Sequence, residues 1–470
     1  MFVATKIEDV RYTDAYRSTI LALLTVVYTF NFIDRTIVAT LGQAIKVDLR
    51  ISDAQLGLLQ GLAFALFYTT LGIPLARLAE RCNRVTLISV CLALWSGMTA
   101  LCGTASSFLQ LFLCRMGVGV GEAGCSPPAH SLITDLYGAR VRATALAIYS
   151  LGIPLGTMFG ALTGGWIADT FSWRWAFVVV GLPGVLLAIV FKLVVNEPPR
   201  GMSERADSRR VDSAANPPPL RAVATTLFGK ASFVHVMLGA TLVGFVGYGT
   251  GTFTQPYFHR AFGLSYTQIG LIFGLVGGLA AGTGTILGGL ASDWAGRRGL
   301  RWYAYVPGAS ALLAAPGYVL AFTRESPTAA VACLIVPTLL HYMYIGPTLG
   351  VMHNLVAPRM RATATALFLF VVNLIGLGAG PYVTGMLNDL FSARAFAAAG
   401  QAGASFAVDC PGGLAPPGAG EALVQACSAA TVHGTRAGIV LVTLVLVWAA
   451  AHYFWSSRTL HRDLLAAQMI

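Results

Sequence analysis

The chain has 470 residues, of which 56% are apolar and only 11% charged. A soluble domain carries about a quarter charged residues, so a soluble enzyme of one to three domains is excluded, and the apolar content excludes disorder. The formal charge of +11 would suit a nucleic-acid partner only if the basic residues formed a patch, and they do not.

A membrane helix needs about 20 mostly apolar residues. The first such run covers 19–42, after a polar segment containing Lys6, Arg11 and Arg17. It is too long for a signal-peptide core and has no small-residue cleavage site, so it reads as a permanent span. Further runs follow at 54–79, 85–104, 108–132, 142–166 and 175–195. Residues 196–228 are rich in Pro, Ser, Arg and Asp and read as a linker. Spans resume at 231–257, 266–291, 302–322, 328–352, 362–388 and 434–456. The expected fold is all-α, with 12 transmembrane helices in two six-helix bundles, 1–195 and 229–470. The second bundle carries a long loop at 391–430.

With the N-terminus inside the cell, 22 of the 31 Lys and Arg fall in cytoplasmic segments and seven outside. Arg35 and Arg115 lie within spans. This is the positive-inside pattern. It accounts for the net charge, places both termini and the linker in the cytoplasm, and leaves no basic stripe for nucleic acid.

The halves share sequence. Arg140-Val-Arg142-Ala-Thr-Ala-Leu, before the fifth span, recurs as Arg359-Met-Arg361-Ala-Thr-Ala before the eleventh, 219 residues later. Gly289-Leu-Ala-Ser-Asp293-Trp-Ala-Gly296-Arg297-Arg298 follows the eighth span, and Ala76-Arg-Leu-Ala-Glu80-Arg81-Cys-Asn83-Arg84 follows the second, at an offset of 213. Parallel halves with a site between them at mid-membrane are a transporter architecture. The 289–298 motif resembles the loop signature of the major facilitator superfamily. The substituted first copy, Asn31-Phe-Ile-Asp34-Arg35, and the run from Arg115 through Glu122 to His130 resemble the spinster family. The resemblance implies a secondary transporter that alternates between inward- and outward-facing states in a bacterial cell membrane. Spinster-like transporters move lysolipids and sphingoid lipids, with proton coupling expected in bacterial members. A monomer is expected.

Four ionisable residues lie deep in spans: Asp34, Arg35, Arg115 and Glu122. Such residues turn inward and find partners, because an unpaired charge in lipid is costly. Arg115 and Glu122 are seven apart and share a helix face, as do Asn31 and Arg35, four apart. In the resembled fold these two helices border the central cavity. Burial raises a carboxylate's pKa and a neighbouring Arg lowers it, so a moving helix can switch the balance. An Arg does not usefully deprotonate. Asp34 and Glu122 are therefore the proton-site candidates, while Arg35, Arg115 and Asn31 are charge partners or head-group contacts. The competing reading is a static salt-bridge network.

Glu80, Arg81, Arg84, Asp293, Arg297 and Arg298 read as a cytoplasmic gate, against simple topology signalling. Tyr28, His130, His341, Tyr342, Tyr344 and Asn373 are candidate cavity residues, with a buried structural role favoured for His341. A cavity charged on one wall and apolar on the other suits an amphipathic substrate. Gly119-Val-Gly121-Glu-Ala-Gly124 matches a dinucleotide fingerprint, but inside an apolar span with no βαβ unit it reads as close helix packing. The cysteines have no metal spacing. Cys410 and Cys427, in the external loop, are expected to form a disulfide. No cofactor is implied, and no nucleophile elbow or phosphate loop supports an enzyme. Transport of small organic anions or drugs, and a non-transporting receptor, remain the alternatives.

Overall fold

The structure is a computed structural model that describes residues 12–138, 141–203, 220–357, 360–400 and 404–468. Linker residues 204–219 and the topology markers Lys6, Arg11, Arg140 and Arg359 lie outside the described residues. Among the described residues every regular element is helical. The first half comprises α1 (Asp14–Thr40), α2 (Gly42–Asp48), α3 (Asp53–Gln60), α4 (Leu62–Arg81), α5 (Arg84–Cys102), α6 (Phe108–Ala123), α7 (Ser126–Leu136), α8 (Arg142–Ser150), α9 (Gly152–Thr170) and α10 (Trp173–Val194). The second comprises α11 (Leu220–Phe228), α12 (Ala231–Phe262), α13 (Tyr266–Gly296), α14 (Trp302–Phe322), α15 (Pro327–Tyr342), α16 (Ile345–Asn354), α17 (Arg361–Val371), α18 (Gly378–Ala398), α19 (Phe406–Asp409), α20 (Glu421–Thr443) and α21 (Val445–Gln468).

Eleven helical stretches among the described residues are long and apolar enough to cross a membrane, and the protein is an integral, multi-pass membrane protein. The expected span at 108–132 is present as two shorter helices, α6 of 16 residues and α7 of 11. Pro127 and Pro128 have no N–H for the carbonyls of Ala123 and Gly124, so the helix is interrupted at Gly124–Cys125. The tenth span breaks at the equivalent place. Pro347 has no N–H for Met343, and the chain turns at Met343–Tyr344 between α15 and α16. Pro128 and Pro347 stand 219 residues apart, the offset of the Arg-x-Arg-Ala-Thr repeat. A π-helical turn at Val372–Leu377 joins α17 to α18. The eleventh span runs on to Ala398 and α20 starts at Glu421, so the intervening loop is shorter than the hydropathy pattern suggests. Cys410 and Cys427 are joined by a disulfide across it, with Cα atoms 5.6 Å apart.

Two cores hold the bundle. One, around Leu24, Trp95, Leu132 and Phe191, is built from the first half, with Leu377 of the second joining it. The other runs from Phe233, Val243 and Tyr453 of the second half into Ile37, Leu41, Ile45 and Leu56 of the first. The larger core thus crosses between the halves at the end remote from the described termini, called distal below. Glycines permit the approach there. A Cβ on Gly57 would run into the backbone of Pro381, and one on Gly61 into that of Gly378. Likewise a Cβ on Gly270 would meet the Ala161 carbonyl, and one on Gly165 the Tyr266 carbonyl. Small residues at such crossings let backbones touch in lipid.

Candidate functional site

Asn31, Asp34 and Arg35 on α1 meet Arg115 and Glu122 on α6. Arg35 Nε donates to Glu122 Oε2 at 2.7 Å. Its guanidinium lies 5.1 Å from the Phe32 ring centroid, 4.8 Å from Phe64 and 4.6 Å from Tyr68. That cage of aromatic faces attracts a cation. The Arg35 side chain is still 23% exposed, whereas that of Glu122 is sealed. Arg35 thus presents part of a paired guanidinium to open space. Arg115 lies 5.5 Å from the other side of the cage, at Phe64.

The remaining polar atoms are incompletely used. Asn31, Asp34, Arg115 and Glu122 are all buried. Asn31 Oδ1, Asp34 Oδ1, Glu122 Oε1 and Arg115 Nε and Nη1 have no hydrogen-bond partner among the described residues. Arg115 acts electrostatically on both Asp34 and Glu122, and Trp95 and Thr99 of α5 adjoin Asp34. Buried polar groups left unpaired are costly, and they concentrate where a ligand, a proton or water is to be exchanged. Two acids and two guanidiniums make the cluster neutral when both acids are ionised, so one proton gives it a net positive charge.

An aromatic wall extends from this cluster. Tyr28 stacks on Tyr149 at 4.4 Å and meets Phe32 edge-on at 5.2 Å, and His130 meets Tyr149 edge-on at 5.4 Å. On the opposite half, His341 is buried with Nδ1 unpartnered. The rings of Tyr318, Tyr342 and Tyr344 surround it at 6.0, 5.6 and 6.4 Å. Gly247 leaves room for that imidazole, since a Cβ there would press on Nε2. Tyr248, next in sequence, lies within electrostatic reach of Arg35 and Tyr68. Asn373 sits in the π-helical turn. Sequence reasoning missed Phe64, Tyr68, Tyr149 and Tyr248. The spacing of Phe64 and Tyr68, one helical turn apart like Asn31 and Arg35, is the one signal that marks a pair facing the charged helix.

The loop residues behave differently from the mid-membrane cluster. Arg84 is buried. It donates Nε to Glu197 Oε1 at 2.6 Å, Nη1 to Ser131 Oγ at 2.8 Å and to Asp135, and Nη2 to the Pro198 carbonyl at 3.1 Å. These contacts tie α5, α7 and the start of the linker together inside one half. Asp293 accepts from Tyr303 Oη at 2.9 Å, and Arg298 lies 3.9 Å from the Trp294 ring. Glu80, Arg81 and Arg297 are exposed. None of these contacts crosses between the halves in this conformation.

A family model described as Major Facilitator Superfamily matches residues 24–381. A Mycolicibacterium smegmatis protein named MFS-type efflux pump is 34% identical over 367 residues, covering 78% of this chain and 83% of that one. The sphingosine-1-phosphate transporter of Xenopus tropicalis is 28% identical over 390 residues, covering 78% and 73%. A solved bacterial homologue of the human lysosomal transporter spinster, inward-facing and unoccupied, superposes with a TM-score of 0.88 at 38% identity, over 96% of this chain and 99% of that one.

Proposed function

The chain belongs to the major facilitator superfamily, in its spinster branch, and on that premise we propose that it is a proton-coupled transporter of an amphipathic lipid, of the lysolipid or sphingoid type, working by alternating access. The observation that carries the reading is the Arg35–Glu122 pair. It is buried in the span yet open on its guanidinium side, and unpartnered atoms of Asp34 and Arg115 lie beside it. Arg35 and Arg115 hold an anionic head group, and the aromatic wall of Tyr28, Tyr68 and Tyr149 accepts the start of an apolar tail. Asp34 and Glu122 take up the proton that resets the cluster. The named activity of the sphingosine-1-phosphate relative supports a lipid with an anionic head. The termini and linker are cytoplasmic, on the charge asymmetry of the sequence, in a bacterial inner membrane. The distal end is then external, and the shared core there corresponds to an inward-facing state. Glu80, Arg81, Arg84, Asp293, Arg297 and Arg298 close the cytoplasmic side in the opposite state.

The test is uptake or efflux of a fluorescent lysophospholipid by proteoliposomes, with and without an imposed pH gradient. Gradient-accelerated flux supports the reading, and flux indifferent to the gradient overturns coupling. A second reading, efflux of a small organic anion or drug through the same arginines, draws on the efflux pump relative. Competition between such a compound and the lysophospholipid separates the two.

A further inference from the structure

A second charged cluster crosses the seam between the halves at the distal end. Asp53, the first residue of α3, is buried at its centre. Lys46 Nζ donates to its Oδ1 at 2.7 Å. Arg260, near the end of α12, donates Nη1 to Oδ2 and Nη2 to Oδ1, both at 2.7 Å. Arg260 also donates to Gln43 Oε1 and Thr435 Oγ1, each at 2.6 Å. Asn388 Nδ2 donates to Asp53 Oδ2 at 3.2 Å.

The next residue, Asp389, caps the same helix. Its carboxylate accepts the Asp53 N–H at 3.0 Å and the Ala54 N–H at 2.8 Å. The internal repeat supplies a twin. Asp169, at the end of α9, accepts the N–H of Tyr266 at 3.1 Å and of Thr267 at 2.7 Å. Tyr266 stands 213 residues after Asp53, the offset of the repeated loop motif. Each half thus uses a carboxylate of its fifth span to cap the second span of the other half. First-turn N–H groups have no partner inside their own helix, and the helix dipole favours an anion there.

Sorted by half, the four charged members divide evenly. Lys46 and Asp53 belong to the first half, Arg260 and Asp389 to the second. Separation of the halves breaks the Arg260–Asp53 and Arg260–Gln43 contacts, the Asn388–Asp53 bond and both caps. It leaves Lys46 with Asp53, and Arg260 with Thr435. We infer that this cluster is the external gate, arranged so that the halves part without stranding an ion. Lys46 retains Asp53 on one wall, while Arg260 on the other wall exchanges Asp53 for Asp389, itself just released from α3. Stranding one member of a buried pair is the costly event, and this division avoids it. A cavity of about 450 Å³ at the distal surface, lined by Gln43 and Asp48 of one half and His259, Arg260 and Thr431 of the other, reaches the seam. The inference rests on the alternating-access reading, which requires this end to open.

The signs of two substitutions follow. Lys46→Met leaves Asp53 held by Arg260 while the gate is shut and by nothing when it opens, so the shut state gains. Asp53→Asn leaves Lys46 and Arg260 without the carboxylate that joins them, so the open state gains. The double variant carries matched charge in both states and returns towards the parent. A cluster that only braces the fold would loosen in every variant, most of all in the double.

Hydrogen exchange on the full chain in lipid nanodiscs reads this directly. Amides 53–54 and 266–267 are protected by the two caps and by no helical partner. Exchange at both caps is expected to rise by about tenfold or more in Asp53→Asn, to fall below the parent rate in Lys46→Met, and to return near the parent rate in Lys46→Met/Asp53→Asn. Faster exchange in both single variants, or fastest in the double, overturns the inference. Should Asp53→Asn fail to fold, the sign in Lys46→Met decides alone. Caps that stay protected in the parent and in every variant show that this end does not open, and then alternating access itself fails.

Discussion

The glycine seam at the distal end gives a graded perturbation of the conformational balance. Gly270 on α13 lies against Ala161 of α9, and a Cβ added there would collide with the Ala161 carbonyl. The obstacle is helical backbone and cannot rotate aside. Overpacking of this kind costs about 1–3 kcal/mol. The cost is felt only while the halves are together, so Gly270→Ala should shift the equilibrium towards the distally open state by roughly 5- to 150-fold. Gly278 provides the control. It lies on the same helix, and a Cβ there meets nothing within 4 Å. Gly278→Ala should be neutral, or stabilising by about 0.4–1 kcal/mol through the unfolded chain. Hydrogen exchange at 266–267 should accelerate in Gly270→Ala alone, with thermal unfolding of the two variants compared to exclude general loosening. Equal exchange in both, or acceleration in Gly278→Ala, would refute the argument from close packing.

Arg84→Met removes a buried cation and leaves Asp135 and Glu197 uncompensated. Thermal unfolding should show a loss of about 3–5 kcal/mol. Cys410→Ser and Cys427→Ser should release the loop between α18 and α20, worth roughly 3 kcal/mol of chain restriction. Limited proteolysis should then cut between 399 and 420 with little change in global melting. Reporter fusions at 204–219 and after Gly412 should report opposite sides of the membrane, and the same side at both would refute the topology.

The parts of this fold legible in the sequence are those in which a residue violates its surroundings. Asp34, Arg35, Arg115 and Glu122 stand out because each is a charge inside an apolar run, and helical spacing sorts them onto faces. The repeat is legible because Arg-x-Arg-Ala-Thr recurs at a fixed distance. The breaks in the fourth and tenth spans were signalled by Pro127, Pro128 and Pro347, yet a hydropathy reading passes over them, since proline is tolerated in membrane helices. The cage of Phe64 and Tyr68 around Arg35 is hidden because an aromatic residue in an apolar helix does not announce which face it occupies. The Lys46–Asp53–Arg260–Asp389 cluster is hidden for a different reason. Each member lies near a span end, where single charges are ordinary, and the pairing of Asp53 with Arg260 joins residues 207 apart. The gate role proposed for Glu80, Arg81, Arg84, Asp293, Arg297 and Arg298 requires the state in which the cytoplasmic end is shut.

Coupling of a proton to the mid-membrane cluster is the central claim. Its most direct test is lysophospholipid flux in proteoliposomes at several external pH values, for the parent, Asp34→Asn and Glu122→Gln. Both amides keep the side-chain volume and remove a titrating site. At least one of them should still bind the lipid and exchange it slowly, yet lose the acceleration that an imposed pH gradient gives the parent. The same pH dependence in the parent and in both variants would contradict the account and leave Asp34 and Glu122 as structural partners of Arg35 and Arg115.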